Sequence, residues 1–147
     1  MAFLNSMDIS VSAMTAQRVR MDTAALNIAN QETTRTENGE PYRRKMVVFQ
    51  AVDNNDFKNI LKRKIEKRDG QSGGVIVSKI VEDQREFKLV YDPTHPDANE
   101  MGYVSYPNVD VVKETIDTMS ATRSYEANIT AFNAVKQMAS KALEIGK

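Results

Sequence analysis

The sequence predicts a mainly α-helical chain with a small β-rich insert, its long N- and C-terminal helices pairing as a coiled coil. Three observations predict it. Both ends repeat apolar residues at spacings of three and four, with no internal Pro or Gly. The middle divides into short β-branched or aromatic runs separated by Gly, Pro and Asn clusters. Charge is concentrated in that middle part and thin at the ends.

The charge pattern is the most telling of the three. Residues 1–30 hold only Asp8, Arg18, Arg20 and Asp22, whereas residues 31–108 hold thirteen charges of each sign and residues 109–147 five of each. Ordinary protein surfaces are rich in charge. A long segment of Ala, Ser, Thr and Met with four charges therefore reads as a helix covered on more than one side. The boundaries that follow are 1–36 for an N-terminal helical segment, 37–108 for the charged insert and 109–147 for a C-terminal helical segment.

The first helix is expected from about Phe3 to Ala29. Leu4, Met7, Val11, Met14, Arg18, Met21, Ala25 and Ile28 follow one another as the a and d positions of a heptad seam. Such a helix is roughly 40 Å long at 1.5 Å per residue. Asn27 and Asn30 stand where it ends, since Asn tolerates the left-handed conformation of a C-terminal cap. Arg18 interrupts the seam, either snorkelling along an exposed edge or pairing with a neighbour's carboxylate.

Asn38-Gly39-Glu40-Pro41 is a turn by its chemistry. Tyr42 to Val52 reads as a strand. A short helix is expected within 54–69, ended by Gly70, Gly73 and Gly74. Val75 to Val81 and Phe87 to Tyr91 read as two strands forming a hairpin or an adjacent pair across Glu82–Glu86. Asp92 to Gly102 is a loop with two prolines, and Tyr103 to Tyr106 a short extended piece halted by Pro107.

The last helix is expected over Asp110 to Ile145, with Asn108 or Asp110 capping its start. Ile116, Met119, Tyr125, Ile129, Phe132 and Leu143 lie on its apolar stripe, whose drift near Met119–Tyr125 breaks a strict heptad.

The candidates for chemistry are few. The chain has no cysteine and one histidine, so thiolate sites and disulfides are excluded and any catalytic triad would need His95. His95 sits between two prolines in Asp92–Glu100, a stiff turn without the spacing of a calcium loop. Gly70–Gly74 lacks the Gly-Lys-Ser/Thr ending of a phosphate loop. Lys58–Arg68 carries six basic residues, but no aromatics are interleaved for stacking on bases and Asp53, Asp56 and Asp69 bracket it. Net charge is zero. Neither a cofactor, a metal, a nucleic acid nor a small-molecule substrate is expected, and the chain does not read as an enzyme. Met1–Ser10 lacks the basic and apolar regions of a cleavable signal peptide, so export without cleavage, or no export, is expected.

Leu26-Asn27-Ile28-Ala29-Asn30, followed by Thr33-Thr34-Arg35-Thr36, resembles the Asn-Asn-Ile-Ala-Asn signature of flagellar rod, hook and related axial proteins, with Leu26 at the first position. Pro41-Tyr42-Arg43-Arg44-Lys45, Tyr91–Glu100 with Gly102-Tyr103-Val104, and Tyr106–Val112 leading into Ser120–Asn128 resemble the proximal-rod members of that family. The resemblance implies a structural subunit of the proximal rod of the bacterial flagellum, polymerising through its terminal helices into the drive shaft that crosses the periplasm. It implies as partners other rod proteins, copies of itself and the flagellar type III export apparatus. The expected assembly interface is Leu4, Met7, Val11, Met14, Arg18, Met21, Asn27, Ile28 and Asn30 on the first helix. Its counterpart on the last is Ile116, Met119, Arg123, Tyr125, Ile129, Phe132 and Leu143. A cytosolic coiled-coil adaptor would share the helical ends but not the central motifs.

Overall fold

The computed structural model describes residues 2–52 and 73–145, with side chains from Leu4 to Glu144 within those limits. The expected helix within 54–69, the basic run 58–68 and Gly70 lie outside the described residues. Helix α1 spans Ala2–Ala29, strand β1 Lys45–Ala51, β2 Val75–Glu82, β3 Lys88–Tyr91, β4 Tyr103–Tyr106 and helix α2 Val111–Ile145. The chain is thus mainly α, with two long helices flanking small β elements.

Both helix ends have local causes. At the end of α1, the Asn30 backbone N–H and its side-chain Nδ2 both donate to the Leu26 carbonyl, at 3.1 and 2.9 Å. This satisfies one of the carbonyls that a helix end leaves orphaned. At the start of α2, Asp110 Oδ1 accepts from the N–H groups of Val112 and Lys113 at 3.1 and 3.3 Å. These are the bonds of an N-cap, and they hold the Asp110 carboxyl below its ordinary value, the Lys113 backbone N–H contributing most.

The β elements form two separate two-stranded sheets, β1 with β2 and β3 with β4. This corrects the expectation that the run from Val75 pairs with the run from Phe87. Between them Asp83 turns the chain. Its backbone N–H donates to Arg44 O at 2.8 Å, carrying the β1–β2 pairing one residue further, and its carboxylate accepts from the Arg85 N–H at 3.1 Å. β3 instead pairs antiparallel with β4, Lys88 opposite Tyr106 and Tyr91 opposite Tyr103. Val90 and Val104, a cross-strand pair, face inward; Val104 is fully buried.

The loop of this hairpin, residues 92–102, is built from turns closed by side chains. Asp92 Oδ1 accepts from the Thr94 N–H and hydroxyl, His95 Nδ1 from the Asp97 N–H, and Asn99 Oδ1 from the N–H groups of Met101 and Tyr103. Asp97 in turn accepts from the Thr34 hydroxyl at 2.8 Å. Gly102 closes the loop at φ +79°, and a Cβ there would lie 2.9 Å from Tyr91 Cε2. Gly102→Ala is expected to lower stability by about 1–2 kcal/mol, the cost of a left-handed conformation for a residue with a Cβ. A urea titration checks it.

The chain divides into two compact units. One comprises residues 1–19, 49–78 and 121–147; the other comprises 20–48 and 79–120. In the first, α1 meets the start of β2 closely. The Val75 N–H donates to Ser12 Oγ at 3.2 Å, and a Cβ on Gly74 would stand 2.8 Å from that oxygen. Gly74 therefore serves backbone approach, which accounts for part of the glycine cluster. The second unit holds a buried polar cluster around Asn27 and Glu114.

Candidate functional site

In the second unit, the C-terminal half of α1, the first turns of α2 and the start of β1 meet at a buried polar junction. Asn27 and Glu114, each 1% exposed, are its centre. Asn27 uses its whole hydrogen-bonding capacity. Nδ2 donates to Lys45 O and Glu114 Oε2, both at 2.8 Å, and Oδ1 accepts from Lys45 N at 2.9 Å and the Tyr42 hydroxyl at 3.0 Å. One side chain thereby ties β1 and α2 to α1.

The second oxygen of Glu114 accepts from Arg44 Nε at 2.6 Å. Arg44 also lies 3.7 Å from Asp83 Oδ2, and its backbone N–H donates to Asn108 Oδ1 at 2.8 Å. Asn108 Nδ2 donates to the carbonyls of Asp83 and Arg85. The junction thus satisfies its buried charges in the way they require, by opposite charge and hydrogen bonds together. Tyr42 is held above its ordinary value, first by burial and then by the negative charges of Glu114 and Glu82.

Asp83 is drawn down to about 2, chiefly by the Arg85 guanidinium, which donates to Oδ2. Because the folded value lies below the unfolded one, the stability this gives is present at neutral pH. It is lost as pH falls from the ordinary 3.8 through about 2. Asp83→Asn is therefore expected to flatten the acid limb of stability between pH 4 and 2. Urea midpoints across that window check it; an unchanged limb would locate the acid sensitivity elsewhere.

A second rung joins the helices 10 residues before the end of α1's signature segment. Arg20 donates through both Nε and Nη2 to the two oxygens of Asp117, a bidentate fork. The pairing raises Arg20 above its ordinary value, the side-chain hydrogen bond leading.

Sequence reasoning singled out Arg18 and Arg123 as the charges needing partners, and both are exposed. At the junction and between the helices, Arg44 pairs with Glu114 and Asp83, and Arg20 with Asp117. The expected interface residues fall into three groups. Leu4, Val11, Ile116, Met119, Ile129 and Leu143 are exposed, Leu143 by 77%. Met7, Met14, Met21, Ile28, Asn30, Tyr125 and Phe132 are half-buried, and Asn27 is buried. The most buried line of α1 is instead Ser10, Ala16, Thr23, Ala24 and Asn27, its small residues. Along the seam, positions 4, 11, 18 and 25 are exposed while 7, 14, 21 and 28 are half-covered.

Among the described residues, no group of three or more His, Asp and Glu is placed to hold a metal ion, and no helix is long and apolar enough to cross a membrane. In the His95 loop, Asp92, His95 and Asn99 accept from local backbone N–H groups, while Asp97 accepts from the Thr34 hydroxyl.

Comparison with known proteins agrees with the motif at the end of α1. Residues 7–35 match the family described as flagella basal body rod protein, and residues 100–145 match the C-terminal family of flagellar basal body rod FlgEFG proteins. The chain is 55% identical to the flagellar basal-body rod protein FlgC of Bacillus subtilis and 45% identical to that of Salmonella typhimurium, each over the full length of both chains. It is 39% identical to the one from Aquifex aeolicus, over all of this chain and 99% of the relative. None of these names is that of an enzyme. The chain belongs to the FlgC family of flagellar basal-body rod proteins.

Proposed function

We propose that the protein is a structural subunit of the proximal rod of the bacterial flagellum, polymerising through its terminal helices into the drive shaft that crosses the periplasm. The observation that carries this is full-length similarity to rod proteins combined with long terminal helices whose apolar lines stay exposed in the single subunit. Exposed Leu4 and Val11 on α1 and Ile116, Met119, Ile129 and Leu143 on α2 are surface that neighbouring subunits bury. A heterologous contact that does not close on itself generates an open helical filament.

In this reading residues 1–36 and 109–147 form the axial core, and residues 37–108 are a charged insert in its sequence. The helices pair as a coiled coil in the assembled rod, where the half-covered seam positions of α1 complete their packing. Arg18 and Arg123 meet carboxylates of neighbours. The partners are other rod proteins and further copies of this chain, reached by export through the type III apparatus without cleavage of a signal.

The test is mass spectrometry of detergent-purified hook–basal bodies, alongside the cytosolic fraction of the same cells. Recovery of the chain in washed basal bodies is the expected result. Its presence only in the cytosol would sink the rod reading and favour a coiled-coil adaptor.

A further inference from the structure

We infer that the buried polar junction is a register lock, which fixes how far α1 stands along α2 rather than supplying the attraction between them. Asn27 to Glu114 and Arg20 to Asp117 are polar rungs between the helices in this unit. The positions run in opposite senses along the two helices, so the pair is antiparallel here. The most buried side chains of α1 beside Asn27 are small ones, Thr23 and Ala24. A face of small residues tolerates sliding by one turn, about 5.4 Å, with little change in buried area.

The polar rungs do not tolerate it. One turn of slip would set Glu114 beside Thr23 and Ala24, away from the Asn27 amide that donates to it. It would also break the fork between Arg20 and Asp117. A buried carboxylate separated from its donors is strongly unfavourable, whereas an apolar replacement of a whole buried ion pair is often neutral or stabilising. The asymmetry means that the charges discriminate between registers more than they stabilise any one. Asn27 adds a third constraint, because its two bonds to the Lys45 backbone place β1 at the same level.

For assembly, which rests on the rod reading above, the lock sets the exposed line of one helix against that of the other before a neighbour arrives. A slipped subunit would offer its two apolar lines a full turn out of step.

The test uses the full chain, which has no native cysteine. Ala25→Cys and Thr115→Cys, both at exposed positions outside the junction, carry spin labels, and pulsed electron paramagnetic resonance reads their separation in subunits diluted with unlabelled protein. The parent should give one narrow distance. Arg20→Met, Arg44→Met, Glu114→Met and Asp117→Leu are then introduced together, replacing both ion pairs with apolar groups. The expected result is a folded subunit, with a urea midpoint at or above the parent's, and a second distance population displaced by about 5 Å. A single, native distance in the folded quadruple variant would overturn the lock. So would a variant that does not fold, since the junction would then be the source of the stability. The distance measurement is independent of basal-body incorporation, so failure of the lock and failure of the rod reading are told apart.

Discussion

Replacing Asn27 alone by leucine is expected to cost the subunit about 3–5 kcal/mol, the range for breaking a buried charged partnership from one side. The size follows from what is left behind. Lys45 loses partners for both its N–H and its carbonyl, Tyr42 loses the acceptor for its hydroxyl, and Glu114 loses one of its donors. Each such group, kept from water, costs about 1–3 kcal/mol. Several tenths of that are offset by the apolar contacts of the new side chain, but leucine cannot supply a donor or an acceptor. Against a domain stability of about 5–15 kcal/mol, the loss is a large fraction of the whole. Urea unfolding at neutral pH, followed by circular dichroism, measures it. A loss below about 1 kcal/mol would mean that water reaches these groups in the folded state, and the junction would not be the centre of the unit.

The opposite result is expected on the exposed helix faces. Val11→Asp and Ile116→Asp should each leave subunit stability within about 0.5 kcal/mol of the parent, as for most surface substitutions, yet abolish motility. Val11 is 44% exposed and Ile116 56%, so a carboxylate at either position stays hydrated in the free subunit. Under the proposed assembly the same carboxylate would enter a packed contact between subunits, where an unpaired charge is far costlier than a missing methyl group. Swimming in soft agar, with basal-body yield measured in parallel, checks the pair. Normal swimming with the variant incorporated would remove that position from the assembly surface. Together with the leucine variant, these substitutions separate what folds the subunit from what joins subunits.

The contrast between Asn27 and Val11 also marks how far the sequence carries. Helix boundaries were legible to within one residue, since Asn30 and Asp110 are caps whose chemistry is local. Strand positions were legible as well, because β-branched runs bounded by Gly and Pro are local signals. Strand partners were not. The run Glu82–Glu86 looks like a hairpin connection, but Asp83 bonds to Arg44, 39 positions earlier in the chain, and nothing in the local composition announces that. The candidate site divides in the same way. Apolar periodicity picks out the large side chains of α1, of which Leu4 and Val11 remain exposed. The face that packs is made of Ser10, Ala16, Thr23 and Ala24, which hydropathy scores weakly although their size is what lets backbones approach. Asn27 reads from its position as a helix-end residue, whereas its bonds run to β1, to α2 and to Tyr42 just ahead of β1. Glu114 and Arg20 carried no signal beyond being charges on sparsely charged helices; knowledge of which residues share a face in space would have been needed.

The meeting of Gly74 with Ser12 has a consequence for how changes at the two sites combine. The same oxygen that accepts from the Val75 N–H fills the space a side chain at position 74 would take. Adding a methyl group at 74 displaces that oxygen, and removing the oxygen frees the space but orphans the N–H. The two positions therefore behave as one compound site. A Gly74→Ala change weighs less in a chain that already carries Ser12→Ala, because the bond it would break is gone, and the effects of the two substitutions do not sum.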